Sequence, residues 1–395
     1  MTRHPGTAAE VLWAFFKLGL TSFGGPVAHL AYFRTEFVER RRWLDDKHYS
    51  DLVALCQFLP GPASSQVGMA LGQGRAGWQG ALAAWLGFTL PSALALVLFA
   101  HGLAQWSWLT QSGVVHGLKL MSVAVVAQAV WGMSRTLCPD RLRAGIALAA
   151  AMMMLSFSTV WSQVIVMVCG GVIGWRWLLL PSAPSCSAPL GISRKAGIVW
   201  LGLFALLLLG LPSLAANSES ITLSTVASFY QSGAMVFGGG HVVLPLLQHA
   251  VVPTGLVSND TFLAGYGAAQ AIPGPLFAFA AFVGAVMPAP MGGWMGAVVL
   301  LMALFLPAFL LVMGALPFWD RLRQHHGIQQ AMGGINAAVV GILGAALYDP
   351  IWSGTIASPA DGALVVLALG MLVLAKASPL VVLLMLTTAS GLMAM

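Results

Sequence analysis

The residues most able to do chemistry follow the segment "LPGPASSQ", where Pro60, Gly61 and Pro62 precede Ser64, Ser65 and Gln66. Proline has no amide donor and suits a first helical turn. A helix is therefore predicted to restart here, with the N–H groups of Ala63, Ser64, Ser65 and Gln66 unpaired. Such a terminus attracts anions. Basic side chains in or beside apolar stretches point the same way: Lys17, Arg75 and Lys119 first, then His29 and His241. A cation within a membrane is costly and is a functional candidate by default. Snorkelling to an interface is the structural alternative for Lys17 and Arg75. Almost no carboxylate is expected beside these groups, because Glu36, Glu39, Asp45, Asp46, Asp320, Asp349 and Asp361 fall in predicted loops.

The chemistry these residues suit is recognition of an anion rather than bond making. No HExxH or acidic pair provides a hydrolytic centre, so an enzyme is not expected. Cys56, Cys138, Cys169 and Cys186 lack CxxC spacing, which argues against a zinc site or a disulfide framework, and no cofactor is implied. The formal charge of +6 comes without a basic stripe carrying interleaved aromatics, so nucleic acid is not an expected partner.

The elements that must position these residues are membrane helices. Of 395 residues, 58% are hydrophobic and only 8% charged, with a mean hydropathy of +0.86. Soluble domains are about 25% charged. Charge-free windows such as 78–99 and 144–175 can cross a hydrocarbon core of about 30 Å. Window lengths predict an all-α polytopic protein with about 12 to 14 membrane segments. The first apolar run lacks a small-residue cleavage site and is expected to be a retained helix rather than a signal peptide.

The chain is internally repeated. "KLGLTSFGGPVAHL" aligns with "QSGAMVFGGGHVVL", "QFLPGP" with "QAIPGP", and "GWQGA" with "GWMGA". In each copy a further proline, Pro91 or Pro307, follows the tryptophan of that last motif by 13 positions. Chance similarity of apolar sequence does not keep Gly and Pro punctuation in register. The halves are expected at 8–178 and 222–395. A linker at 179–221 joins them, with a Pro- and Ser-rich loop and one connecting helix at 196–216.

One connecting span turns the second half upside down, and the loop charges agree. "RTEFVERRRWLDDK" carries five Lys or Arg, whereas its counterpart "QHAVVPTGLVSND" carries none. Further on the bias reverses, with Arg321 and Arg323 opposite an uncharged first-half loop. By the positive-inside rule, equivalent loops lie on opposite sides of the membrane, as in an inverted-topology repeat.

Irregular backbone at membrane depth is tolerated where it is buried in protein or lines a wet cavity. Two matched breaks per half, at Gly24, Gly25 with Pro60, Gly61, Pro62 and at Gly238, Gly239 with Pro273, Gly274, Pro275, therefore mark a substrate site at the repeat interface. Ser64, Ser65 and Gln66 add side-chain donors where "LFAFAA" in the second half adds none, so the first half is expected to supply most of the polar contacts. Packing kinks explain any single motif, and a passive anion channel is also consistent with all four.

These motifs closely resemble the chromate ion transporter family in its long, two-domain form, over nearly the whole chain. The residues that carry the resemblance are Phe23, Gly24, Gly25 and Pro26; Gln57, Pro60, Gly61 and Pro62; Phe237, Gly238 and Gly239; and Gln270, Pro273, Gly274 and Pro275. The one departure is the apolar stretch after the second PGP. The resemblance implies a multi-pass protein of the inner (cytoplasmic) membrane that exports chromate and confers chromate resistance. Sulfate, a dianion of similar shape, is the expected competitor, and a permease for sulfate or another oxyanion is the alternative. Expected partners are the anion, the lipid bilayer and a second copy of the chain in a homodimer. An antiport cycle and a purely potential-driven one are both open.

Overall fold

The computed structural model describes residues 6–105, 113–157, 160–178, 192–322 and 325–393. The Pro- and Ser-rich segment 181–191, with Cys186, lies outside the described residues. Every regular element among the described residues is helical. The first half opens with α1 (Ala8–Thr21), α2 (Gly25–Arg34), a π-helical turn at Thr35–Arg40, and α3 (Asp46–Phe58). The long element Ala63–Gln105 is bent where Ala76 and Gly77 leave helical geometry, giving α4 (63–75) and α5 (78–105). Then come α6 (Gly113–Leu137), α7 (Arg141–Ser156) and α8 (Val160–Trp177), with α9 (Arg194–Ala216) as the connecting helix.

The second half repeats the order with α10 (Ile221–Ala234), a 3₁₀ turn at Gly240–Val242, α11 (Val243–Val251) and α12 (Asn259–Ala271). A 3₁₀ turn at Leu276–Ala278 leads into α13 (Phe279–Val286), followed by α14 (Gly293–Ala315) and the short α15 (Trp319–Leu322). The chain continues through α16 (His326–Ala346), a π-helical turn at Leu347–Trp352, α17 (Pro359–Val373) and α18 (Pro379–Met393).

Local sequence accounts for the ends. Asp45 and Asp140 cap α3 and α7 by accepting the N–H groups of His48 and Arg143, and those bonds hold both carboxyls below their ordinary range. Among the described residues, five helices are long and apolar enough to cross a membrane: Ala63–Gln105, Gly113–Leu137, Arg194–Ala216, Gly293–Phe318 and His326–Trp352. Shorter apolar helices occupy Leu276–Val286, Pro359–Val373 and Pro379–Met393. The window count of about 12 to 14 does not translate into that many full-width helices. The break-flanking helices are short: the 14 residues of α1 rise about 21 Å, against a hydrocarbon core of about 30 Å. The charge-free window 144–175 is likewise divided between α7 and α8.

The helices form two compact units, and these are not the two halves. One gathers α1–α4, most of α5, α9, α10 and α13–α15; the other gathers α6–α8, α11, α12 and α16–α18. In the first, Phe15, Phe33, Phe37 and Phe88 form a fully buried aromatic cluster joining α1, α2 and α5. Small residues let its helices touch by backbone: Gly19 of α1 lies against the carbonyls of Gly87 and Phe88 on α5, and Gly233 of α10 against that of Leu304 on α14. The same relation thus recurs at equivalent positions of the two halves. In the second unit α16 packs on α7 and α8, and Ser122 of α6 donates to the carbonyl of Leu263 on α12 (2.8 Å).

At the α8–α16 contact, a Cβ added to Gly334 meets the Gly170 carbonyl and, at 2.8 Å, the Gly174 Cα. Gly334→Val forces these helices apart and is expected to cost about 1–3 kcal/mol, read as a lower thermal midpoint of the purified protein. An unchanged midpoint would show that α16 does not lie this close to α8.

Candidate functional site

Each break interrupts its helix through a backbone conformation that side chains resist. Gly24 and Gly238 have φ of 97° and 77°, and Gly61 and Gly274 have φ of 125° and 110°. A broken helix leaves amides and carbonyls unpaired, and inside lipid or protein these groups must find partners.

The partners are the breaks of the other half. Gly61 N–H donates to the carbonyl of Val236, the residue before Phe237-Gly238-Gly239, at 2.7 Å. Gly274 N–H donates to the carbonyl of Ser22, the residue before Phe23-Gly24-Gly25, at 3.0 Å. The PGP of each half therefore closes the FGG of the other, by the same atoms. Such an exchange of equivalent contacts is the mark of a local two-fold relation.

Tight packing behind the glycines repeats the exchange. A Cβ on Gly61 falls 2.8 Å from Gln66 Nε2 and 3.1 Å from the Ala308 methyl, and one on Gly274 falls 2.8 Å from Ser92 Oγ. Ser92 and Ala308 each follow the conserved-in-repeat proline, Pro91 or Pro307, by one position. Pro26 in turn approaches Gly240, where an added Cβ lies 3.6 Å from the proline ring. All four breaks thus meet inside one compact unit.

Around this crossing the side chains are not symmetric. Ser22, His29, Ser64, Ser65, Gln66, Thr89 and Ser92 are all buried. His29 Nδ1 on α2 sits 3.4 Å from Ser64 Oγ on α4, which ties together the N-terminal turns of the two helices that restart after the first-half breaks. Their second-half equivalents are Val236, Val243, Phe277, Ala278, Phe279, Phe305 and Ala308, every one apolar. Several of the polar atoms lack a hydrogen-bond partner: Ser22 Oγ, Ser65 Oγ, Gln66 Oε1 and Thr89 Oγ1. A buried, unpaired polar atom costs about 1–3 kcal/mol, so a cluster of them is where a polar ligand or water belongs.

The Gln66 backbone differs from the sequence expectation. Its N–H donates to the Pro62 carbonyl (2.9 Å), closing the first turn of α4, and its side chain folds back to the Pro60 carbonyl (Nε2, 2.8 Å). The unpaired donors of this terminus are therefore those of Ala63, Ser64 and Ser65.

Lys17 and Arg75 are not brought to the breaks within their unit, and Lys119 belongs to the other unit. Lys17 is exposed on α1 beside Leu12, Trp13 and Leu20, with its Nζ 5.3 Å from the Trp13 ring centroid; helical periodicity sets it opposite the buried Phe15 and Leu18. Arg75, 13 residues beyond Pro62 and so about 20 Å along the helix, pairs with Glu10 (3.1 Å) and lies over the Trp43 ring. Lys119 belongs to the other unit and pairs with Asp260 (2.9 Å). The expectation that carboxylates are lacking beside these groups is thus corrected. Glu10 and Asp260 meet Arg75 and Lys119, and Asp361 meets His116 (2.7 Å). What the first half gathers at the breaks is a set of hydroxyls, an amide and an imidazole, beside the start of α4, and the second half adds His241 after Gly240 and Gln270 before its PGP. Ser22, Thr89 and Ser92 escaped sequence reasoning, although Thr89 and Ser92 flank the repeated Pro91.

The chromate transporter family matches this chain twice, over residues 9–175 and 223–393. The chain belongs to the chromate transporter family. It is similar to a chromate transport protein of Pseudomonas aeruginosa, with 29% identity over 364 residues covering 87% of this chain and 81% of that one. A chromate transport protein of Cupriavidus metallidurans is 26% identical over 85% of this chain and 81% of its own length. An uncharacterized transporter of Methanocaldococcus jannaschii is 27% identical over 86% of this chain and 84% of its own. No solved structure matches the chain. The FGG and PGP breaks fall within both regions of this transporter that the family matches.

Arg75→Met and Glu10→Gln each break one ion pair and are expected to lower stability, the double variant costing clearly less than the sum. Anion flux per folded molecule is expected to stay near wild type. A flux loss specific to Arg75→Met would return this arginine to the transport path.

Proposed function

We propose that the protein exports chromate across the cytoplasmic membrane and so confers chromate resistance, with the dianion held at the crossing of the four helix breaks. The observation that carries this reading is the reciprocal pairing of Gly61 with Val236 and Gly274 with Ser22, beside buried polar side chains supplied mostly by the first half. Membership in the family and likeness to two chromate transport proteins support the substrate.

Binding by hydroxyls, an amide and the amides at a helix terminus, without a lysine or arginine in the cluster, suits transport. A dianion is recognised by directed donors, and the absence of a paired counter-charge keeps it from being trapped. Pro60, Gly61 and Pro62 with Pro273, Gly274 and Pro275 hold the broken backbone open, and Gly24, Gly25, Gly238 and Gly239 hold the facing breaks. Ser64 and Ser65 supply donors; Gln66, anchored on Pro60, fixes the turn.

The halves 8–178 and 222–395, joined by the linker 179–221, act as an inverted repeat whose two-fold axis lies in the membrane plane. Alternating access then exchanges which half opens. An inside-negative potential favours outward movement of a dianion by about 4.6 kcal/mol per 100 mV, so export proceeds without a proton relay.

Energised everted vesicles containing the protein are expected to accumulate chromate saturably, with weak inhibition by sulfate and loss of uptake when the potential is collapsed. No uptake above background, from protein shown to be inserted, would overturn chromate export. Replacing Ser65 and Thr89 by Ala and Val, in the direction of the second-half residues, is expected to lower uptake at least tenfold at equal protein level. Replacing both Pro60 and Pro62 by Ala heals the helix and is expected to abolish uptake. Retained uptake in the proline variant would reduce the breaks to packing.

A further inference from the structure

The second compact unit contains a cavity of about 430 Å³ that the transport reading leaves unused. Its volume lies within the range of small-molecule sites, about 300–1,000 Å³. Its walls come from α7, α8, α11, the start of α12, α16 and the π-helical turn after α16. Most of the lining is apolar, including Met154, Val252 and Ile342, as in a pocket that encloses part of an organic ligand.

The polar lining is sparse and specific. Gln163 and Gln248 are 2% and 4% exposed, and each carries an unpaired atom: the Nε2 donor of Gln163 and the Oε1 acceptor of Gln248. Gln248 is held in place by its own Nε2, which donates to Asn259 Oδ1 at 2.6 Å. Asp349, an exposed residue, lines the same cavity, with one carboxylate oxygen already accepting the Ser353 hydroxyl at 2.9 Å, and His249 and Asn259 complete the polar set. No lysine or arginine contributes to the lining. The carboxylate and the lack of any lysine or arginine in the lining disfavour the dianion proposed for the other unit.

A ligand that satisfies this set carries N–H donors for the Asp349 carboxylate and for Gln248 Oε1. It also carries an acceptor oxygen for Gln163 Nε2 and a short carbon skeleton against the apolar walls. A bare alkali cation offers neither the acceptor nor the bulk, and a quaternary ammonium lacks the N–H groups. We propose that this cavity binds a primary ammonium with a neighbouring oxygen, the chemistry of a free amino alcohol or of an ethanolamine lipid headgroup.

The full-length protein, delipidated in detergent, is titrated calorimetrically with ethanolamine. Saturable binding is expected, at least tenfold weaker in Asp349→Asn and in Gln163→Leu, with no response to choline. Two variants on different elements keep the test standing if one fails to fold, folding being checked by gel filtration and tryptophan fluorescence. No ethanolamine binding by the wild type, equal binding in both variants, or equal competition by sodium or potassium chloride would overturn the site. The source is read in nanodiscs. Ethanolamine binding that persists in phosphatidylcholine discs but is lost in phosphatidylethanolamine discs assigns the lipid headgroup, and equal binding in both assigns the free amino alcohol. Because the readout is binding rather than chromate flux, its failure and that of the export reading are separable.

Discussion

A helix broken inside a membrane protein must satisfy the amides and carbonyls that the break exposes, and here that requirement is met by one exchange of two hydrogen bonds. Gly61 closes on Val236 and Gly274 on Ser22, so neither half can complete its own broken backbone. Each half supplies the donor that the other lacks. The constraint explains why two kinds of break occur per half: a glycine pair that presents a carbonyl, and a Pro-Gly-Pro that presents a lone amide between two residues with none. It also explains why the packing behind the glycines is matched, with Ser92 and Ala308 at equivalent distances from the two PGP turns.

On this symmetric backbone lies an asymmetric set of side chains. The first half places Ser22, His29, Ser64, Ser65, Gln66, Thr89 and Ser92 around the crossing, and the second places only apolar residues at the same positions. The duplicated frame is shared by both halves, and the polarity is not. A symmetric polar site would bury twice as many hydrogen-bonding groups with no ligand to share between them, each at a desolvation cost. Concentrating the polar groups in one copy limits that cost.

Among the basic side chains set apart by the sequence, Arg75 and Lys119 are held by carboxylates. Arg75 with Glu10, Lys119 with Asp260 and His116 with Asp361 are pairs between helices. Two of these pairs join residues 141 and 245 positions apart, and the third joins α1 to the end of α4. The two candidate cations Arg75 and Lys119 each lie beside a carboxylate of another helix. The transport path proposed for the dianion is consequently built from dipoles.

The sequence by itself determined the helical, membrane-spanning class, the duplication and the positions of all four breaks. These are consequences of composition and of local backbone chemistry: apolar content demands helix, glycine and proline interrupt it, and a repeated pattern of interruptions marks repeated structure. The tertiary structure alone decided which break pairs with which, that Lys17 faces away from the breaks, and that Arg75 and Lys119 spend their charge on Glu10 and Asp260. It also decided that Ser22, Thr89 and Ser92 join the cluster and that the compact units cut across the two halves. Those outcomes depend on which helix faces lie together in space. A residue's partner hundreds of positions away leaves no mark in its own neighbourhood of the sequence.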